Sequence, residues 1–171
     1  MKNVFSPSKP QTKKTVAVRT LVGTALLAAL SVVFGKLLAL NFGDSIRLSF
    51  ENLPVLLAGF LLGPLAGLAV GALADLLGCV LVGFSINPII TLGAATVGLC
   101  AGLARQLLQR RPLWLQLLVA VGSAHVLGSM LIKSIGLYVF FGTPMSILLI
   151  RIPTYIITGA LEYGLMWLLL R

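Results

Sequence analysis

From Leu53 to Val82 the chain runs through apolar and small residues, and Asp75 is the single charge in the stretch. Few folds tolerate such a run. Average soluble domains carry about a quarter charged residues. Here 10% of the 171 residues are charged and 58% are hydrophobic, so a water-soluble globule is close to excluded. A helix needs roughly 20 apolar residues to cross the ~30 Å hydrocarbon core of a bilayer. The chain is therefore long enough for six or seven helices and leaves no room for a separate soluble domain.

Breaks in the apolar pattern divide it. Residues 1–17, with Lys2, Lys9, Lys13 and Lys14 among Ser, Pro, Gln and Thr, read as a flexible basic tail, and 18–171 as one transmembrane domain. A first span covers about Val18 to Leu40. The polar stretch Asn41–Asn52 follows, then a run too long for one crossing. Gly63-Pro64 splits that run into a short helix, about 53–62, and a second, about 64–82, because proline lacks an amide donor and clashes with the preceding turn. Further helices are expected at about 88–108, 113–137 and 146–170. Arg110-Arg111-Pro112 and Gly142-Thr143-Pro144 separate them. The fold class is thus an all-α integral membrane protein with six transmembrane helices.

Where the charges lie sets the expected orientation. With the N-terminus in the cytoplasm, nine of the thirteen cations fall at inner ends, including Arg19, Arg105, Arg110, Arg111 and Arg171. The positive-inside rule then puts both termini in the cytoplasm. Helix one is too long for a cleaved signal peptide and lacks a clear cleavage site, so it reads as a retained span. The net charge of +9 needs no nucleic acid to explain it.

Lys36, Arg47, Lys133 and Arg151 are left for the outer half or the outer loops. Asp44 and Glu51 lie outside; Asp75 and Glu162 lie deep. A charge within the bilayer costs several kcal/mol unless it faces a cavity or a partner. Such residues serve either a ligand or ion pairs that fix helix packing. At three- and four-residue steps Arg151, Tyr155, Thr158 and Glu162 share a helix face, as do His125, Ser129 and Lys133. Asn87, Thr91, Ala94, Gly98 and Gly102 form a polar-to-small stripe. These faces are expected to converge on an outward-facing pocket with a cationic rim, suited to a small anionic molecule. Tyr138, Phe140 and Phe141 suit either stacking on a planar ligand or an interfacial aromatic belt.

Other features have plain readings. Gly59, Gly63, Gly67 and Gly71 permit close helix packing. Cys79 and Cys100 lack metal or redox spacing, and the lone His125 is no metal ligand by its sequence neighbours. There is no phosphate-loop motif and no nucleophile–base pair, so neither an ATPase nor another enzyme is expected, and no cofactor.

RLSFENLPVLLAGFLLGPLAGLAVGALADLLG at 47–78, NPIITLG at 87–93 and RIPTY at 151–155 resemble the substrate-binding (S) subunits of energy-coupling factor vitamin transporters, most of all the folate-specific branch. The resemblance covers nearly the whole chain from Arg19. It implies a bacterial cell-membrane protein that captures folate outside and releases it inside. A transmembrane coupling subunit and two cytoplasmic ATPases would be its partners. The family's Ala-x-x-x-Ala element matches Ala25 and Ala29, implying a face for the coupling subunit; plain helix packing is the other reading of those alanines. For folate, a carboxylate binds the pterin ring through two parallel hydrogen bonds, with Asp75 preferred over Glu51. Asn87 and Thr91 would complete the ring's polar edge. Arg47, Lys133 and Arg151 would take the glutamate carboxylates. His125, Tyr138 and Tyr155 join the same candidate site. Glu51 and Asn52 have a competing role as caps of the second helix. The remaining alternatives are an S subunit for thiamin or pantothenate, a stand-alone secondary transporter and, last, an intramembrane enzyme.

Overall fold

The computed structural model describes residues 13–36, 39–42 and 46–171. Helix α1 is Lys13–Lys36 and is followed by two short strands, β1 (Leu40–Phe42) and β2 (Ile46–Leu48). Then come α2 (Asn52–Leu62), α3 (Pro64–Val82) and α4 (Pro88–Leu107). Helix α5 runs unbroken over Leu113–Phe141, and α6 over Met145–Leu170.

Five helices are long and apolar enough to cross a membrane: Val18–Lys36 within α1, and α3, α4, α5 and α6. Helix α2, at 11 residues, rises about 16 Å at 1.5 Å per residue, well short of the ~30 Å core. The expected six full spans become five long helices and one short one. The tail read at 1–17 lies outside the described residues up to position 12, and α1 begins at Lys13. The first span ends at Lys36 rather than Leu40, which sits on β1. The two strands pair antiparallel, Leu40 opposite Leu48 and Asn41 opposite Arg47, inside a stretch read only as polar loop.

The breaks act as expected. Gly63 takes φ 106°, a conformation open to glycine and strained for other residues. It turns α2 back onto α3, and Pro64 starts α3 where a missing amide costs nothing. Asn87 starts α4: its Oδ1 accepts from the Ile89 and Ile90 amides at 3.0 and 3.4 Å, with Pro88 at the first helical position.

The core is built on small residues. Around the Gly63 turn, Gly59 lies against Gly67, and both face the α4 stripe of Gly98, Ala101 and Gly102. A Cβ built on Gly98 would run into the Gly67 backbone, so the glycine is required by the closeness of α3 and α4. Gly98→Ala is expected to force the helices apart and cost roughly 1–3 kcal/mol. Gly164→Ala, where an added Cβ meets nothing within 4 Å, is expected to leave thermal melting in detergent unchanged. Equal melting temperatures for the two variants would contradict this packing.

Two groups of charged side chains lie towards opposite ends of the bundle, apart from the buried Glu162. At one end Lys36 lies 5.9 Å over the Phe84 ring, Asn87 Nδ2 donates to the Gly136 carbonyl and Lys133 meets Glu51. At the other, Arg105 donates to the Phe60 carbonyl and stacks on the Phe60 ring.

Candidate substrate site

At the first of these ends, α1 to α4 and the last third of α5 enclose a polar cavity. Its walls include Ser31, Lys36, Glu51, Asn52, Asp75 and Lys133, and its free volume is about 20 Å³, room for roughly one water molecule. Lys133 is the centre of it. The residue is 8% exposed, and its Nζ lies 3.2 Å from Glu51 Oε1 and 3.5 Å from Asn52 Oδ1. Glu51 is fixed from the other side, where Ser31 Oγ donates to its carbonyl at 2.6 Å. Thr91 Oγ1 donates to Asp75 Oδ2 at 2.6 Å, and the Asn87 carbonyl lies 3.1 Å from the same hydroxyl.

Five of the sequence-predicted site residues therefore meet here: Glu51, Asn52, Asp75, Thr91 and Lys133. Glu51 stands at the N-cap of α2, as its competing reading expects, but makes no side-chain cap hydrogen bond and turns its carboxylate to Lys133. Asn87 borders the group as the cap of α4, with its amide already spent on Gly136. Arg47 lies on β2, a strand that packs against α6. Lys36, one of the four outer cations, lines the same cavity, and Ser31 joins it without having been marked by its charge. The signal for Ser31 was there, because Thr24, Ala28, Ser31 and Gly35 recur at three- and four-residue steps and are the buried stripe of α1.

A second polar cluster lies elsewhere. His125 Nε2 stands 3.3 Å from Glu162 Oε2, and the rings of His125 and Tyr155 cross edge-on at 6.4 Å. The two faces expected to form a single pocket are thus divided, with His125 directed to α6 and Lys133 to α2. The cause is local. Residues Ala124–Ile132 of α5 form a π-helix, whose i→i+5 bonding winds more residues into each turn than the α-helix. Steps counted at 3.6 residues per turn lose phase across it. Arg151 lies 5.5 Å over the Tyr155 ring, and Tyr138, 56% exposed, stands on the outer surface with Phe140 and Phe141. Ala25 and Ala29 are exposed on α1, turned away from its buried stripe. Among the described residues no group of His, Cys, Asp and Glu is placed to hold a metal ion.

Long apolar helices around a few buried charges define an integral membrane protein with an internal polar site. The family model for the substrate-specific component of ECF transporters matches residues 19–170, and the chain belongs to that family. Its fold is similar to solved structures of such components. FolT bound with folic acid superposes with a TM-score of 0.73 at 22% identity, over 88% of this chain and 92% of that one. The S component of a bacterial ECF transporter gives 0.68 at 22% identity, over 91% and 95%. The S component for biotin from an ECF-type ABC transporter gives 0.62 at 17%, over 92% and 95%. Comparison with curated protein sequences returned no match.

Proposed function

We propose that this chain captures folate, or a related pterin vitamin, outside the cell and delivers it inward with a transmembrane coupling subunit and two cytoplasmic ATPases. Both termini then lie in the cytoplasm, the end holding Arg105, Arg110 and Arg111 faces inward, and the Lys133 cavity faces outward. The observation that carries the reading is the buried Lys133, held by Glu51 and Asn52 in a fold shared with a folic acid-bound protein.

A lysine in such a place is ready for exchange. A folate carboxylate takes over the ammonium from Glu51, whose side chain is about one-third exposed and returns to water. Arg47 and Arg151 supply the remaining positive charge, with the planar fork that suits a carboxylate. Asp75, with Thr91 donating to one of its oxygens, reads the N–H and amino edge of the pterin ring. The cavity as it stands is too small for a vitamin, so binding parts the Glu51–Lys133 pair and opens the site.

Calorimetry on the purified chain with folate, biotin, thiamin and pantothenate tests this. Folate is expected to bind tightest. Arg151→Ala is expected to weaken it about 10- to 100-fold, the worth of one charged hydrogen bond, while Arg110→Ala has no effect. Equal effects of the two substitutions would sink the cationic site, and preference for another vitamin would move the assignment to that ligand. Uptake without the ATPase subunits would instead mark a stand-alone transporter.

A further inference from the structure

The structure assigns Lys36 a part in ligand choice: its ammonium meets the ring carbonyl oxygen of the pterin, beside the two donors that Asp75 takes, and Gly78 makes room for it. This rests on the folate reading and names a residue that tells one pterin edge from another. Lys36 is the last residue of α1 and of its membrane span. A lysine at such a position ordinarily stretches its ammonium out to water. This one turns inward. It is half-buried, it lines the polar cavity with Asp75, and its Nζ lies 5.9 Å over the Phe84 ring.

Gly78 makes that course possible. A Cβ built on it would stand 2.6 Å from Lys36 Cε and 3.4 Å from Nζ, so the end of the lysine lies across bare backbone of α3. Asp75 is three residues earlier, on the same face of that helix. Among the described residues Lys36 makes no ion pair, and the Glu51 carboxylate goes to Lys133. An aromatic face holds the Lys36 ammonium less strongly than a hydrogen-bonding oxygen does, so an acceptor arriving here draws it over. The pterin ring offers that acceptor in the right order. Its edge presents an amino group, an N–H and a carbonyl oxygen in a row, two donors and then an acceptor. A carboxylate only accepts and an ammonium only donates, so Asp75 suits the first two and Lys36 the third. Lys133 is turned towards α2 by Glu51 and Asn52 and is kept for the vitamin's carboxylate.

Calorimetry on the full purified chain with folate and with its 4-amino analogue tests this. The analogue carries an amino group where folate has the ring carbonyl, so Lys36 faces a donor instead of an acceptor. The readout is the ratio of the two affinities, which a general loosening of the fold does not move. Lys36→Met is expected to shift that ratio about 10- to 100-fold towards the analogue, the worth of one charged hydrogen bond. Gly78→Ala keeps the lysine but occupies its resting place, and is expected to shift the ratio the same way by less. Arg110→Ala is expected to leave it unchanged. An unchanged ratio in Lys36→Met, with folate still bound, would overturn the role of Lys36 and leave the folate reading standing. No shift in Gly78→Ala would overturn the part given to Gly78. An unaltered chain that binds neither compound would overturn both the inference and the folate reading.

Discussion

Glu51→Gln is expected to destabilise the protein more than Lys133→Met, although both break the same ion pair. Removing one partner of a buried pair costs about 2–5 kcal/mol, most of it from the charge left behind. The two charges are not equally buried. With Glu51 neutral, the Lys133 ammonium, its side chain 10% exposed, is left with neutral acceptors, the amide oxygen that replaces the carboxylate and Asn52 Oδ1 at 3.5 Å. With Lys133 replaced by Met, Glu51 keeps a side chain 34% exposed and recovers water. The double variant is expected to regain part of the loss, since both charges of the pair are then removed together. Melting of the four proteins in detergent measures this; a larger loss for Lys133→Met would contradict the asymmetry. Folate binding moves in the other sense. Lys133→Met is expected to abolish it, whereas Glu51→Gln keeps the cation that the vitamin's carboxylate needs.

Trp at both Ala25 and Ala29 is expected to abolish vitamin uptake in cells while leaving folate binding by the purified chain intact. The two alanines lie exposed on α1, whose opposite stripe of Thr24, Ala28, Ser31 and Gly35 packs inward, so the indoles project away from the packed face. Small residues four apart let another helix approach closely, and Trp at both closes that approach. Uptake with the coupling and ATPase subunits co-expressed, read beside calorimetry, separates the outcomes. Lost binding would mean that the alanines serve packing within the chain. Unchanged uptake would remove them from the partner face.

Ser31 gives α1 a second role. It ties the helix carrying Ala25 and Ala29 to the carbonyl of Glu51, and Glu51 in turn holds Lys133. One helix thus touches the Lys133 cavity with one side and presents the proposed partner face on the other.

Much of the architecture was readable along the chain. The breaks at Gly63-Pro64, Arg110-Arg111-Pro112 and Gly142-Thr143-Pro144 fall where helices end or begin, because each acts through its own backbone chemistry. The ribbon at 40–48 was not readable, since three-residue strands are too short to show an alternating pattern. The site was readable in part. Glu51, Asn52, Asp75, Thr91 and Lys133 stood out as polar residues in an apolar chain, and they do meet. Their partners did not follow from spacing. His125 looked solitary because Glu162, the acid beside it, lies 37 positions further on in sequence.

The sequence by itself determined that the chain is a set of apolar helices, where most of them begin and end, and which few polar residues must find partners. Hydropathy adds up residue by residue, and caps and proline breaks act within a turn, so these need no tertiary contact. Only the tertiary structure decided which polar residues meet. One π-helical stretch in α5 shifts the phase between His125 and Lys133, and the two pair with different helices, His125 with Glu162 and Lys133 with Glu51.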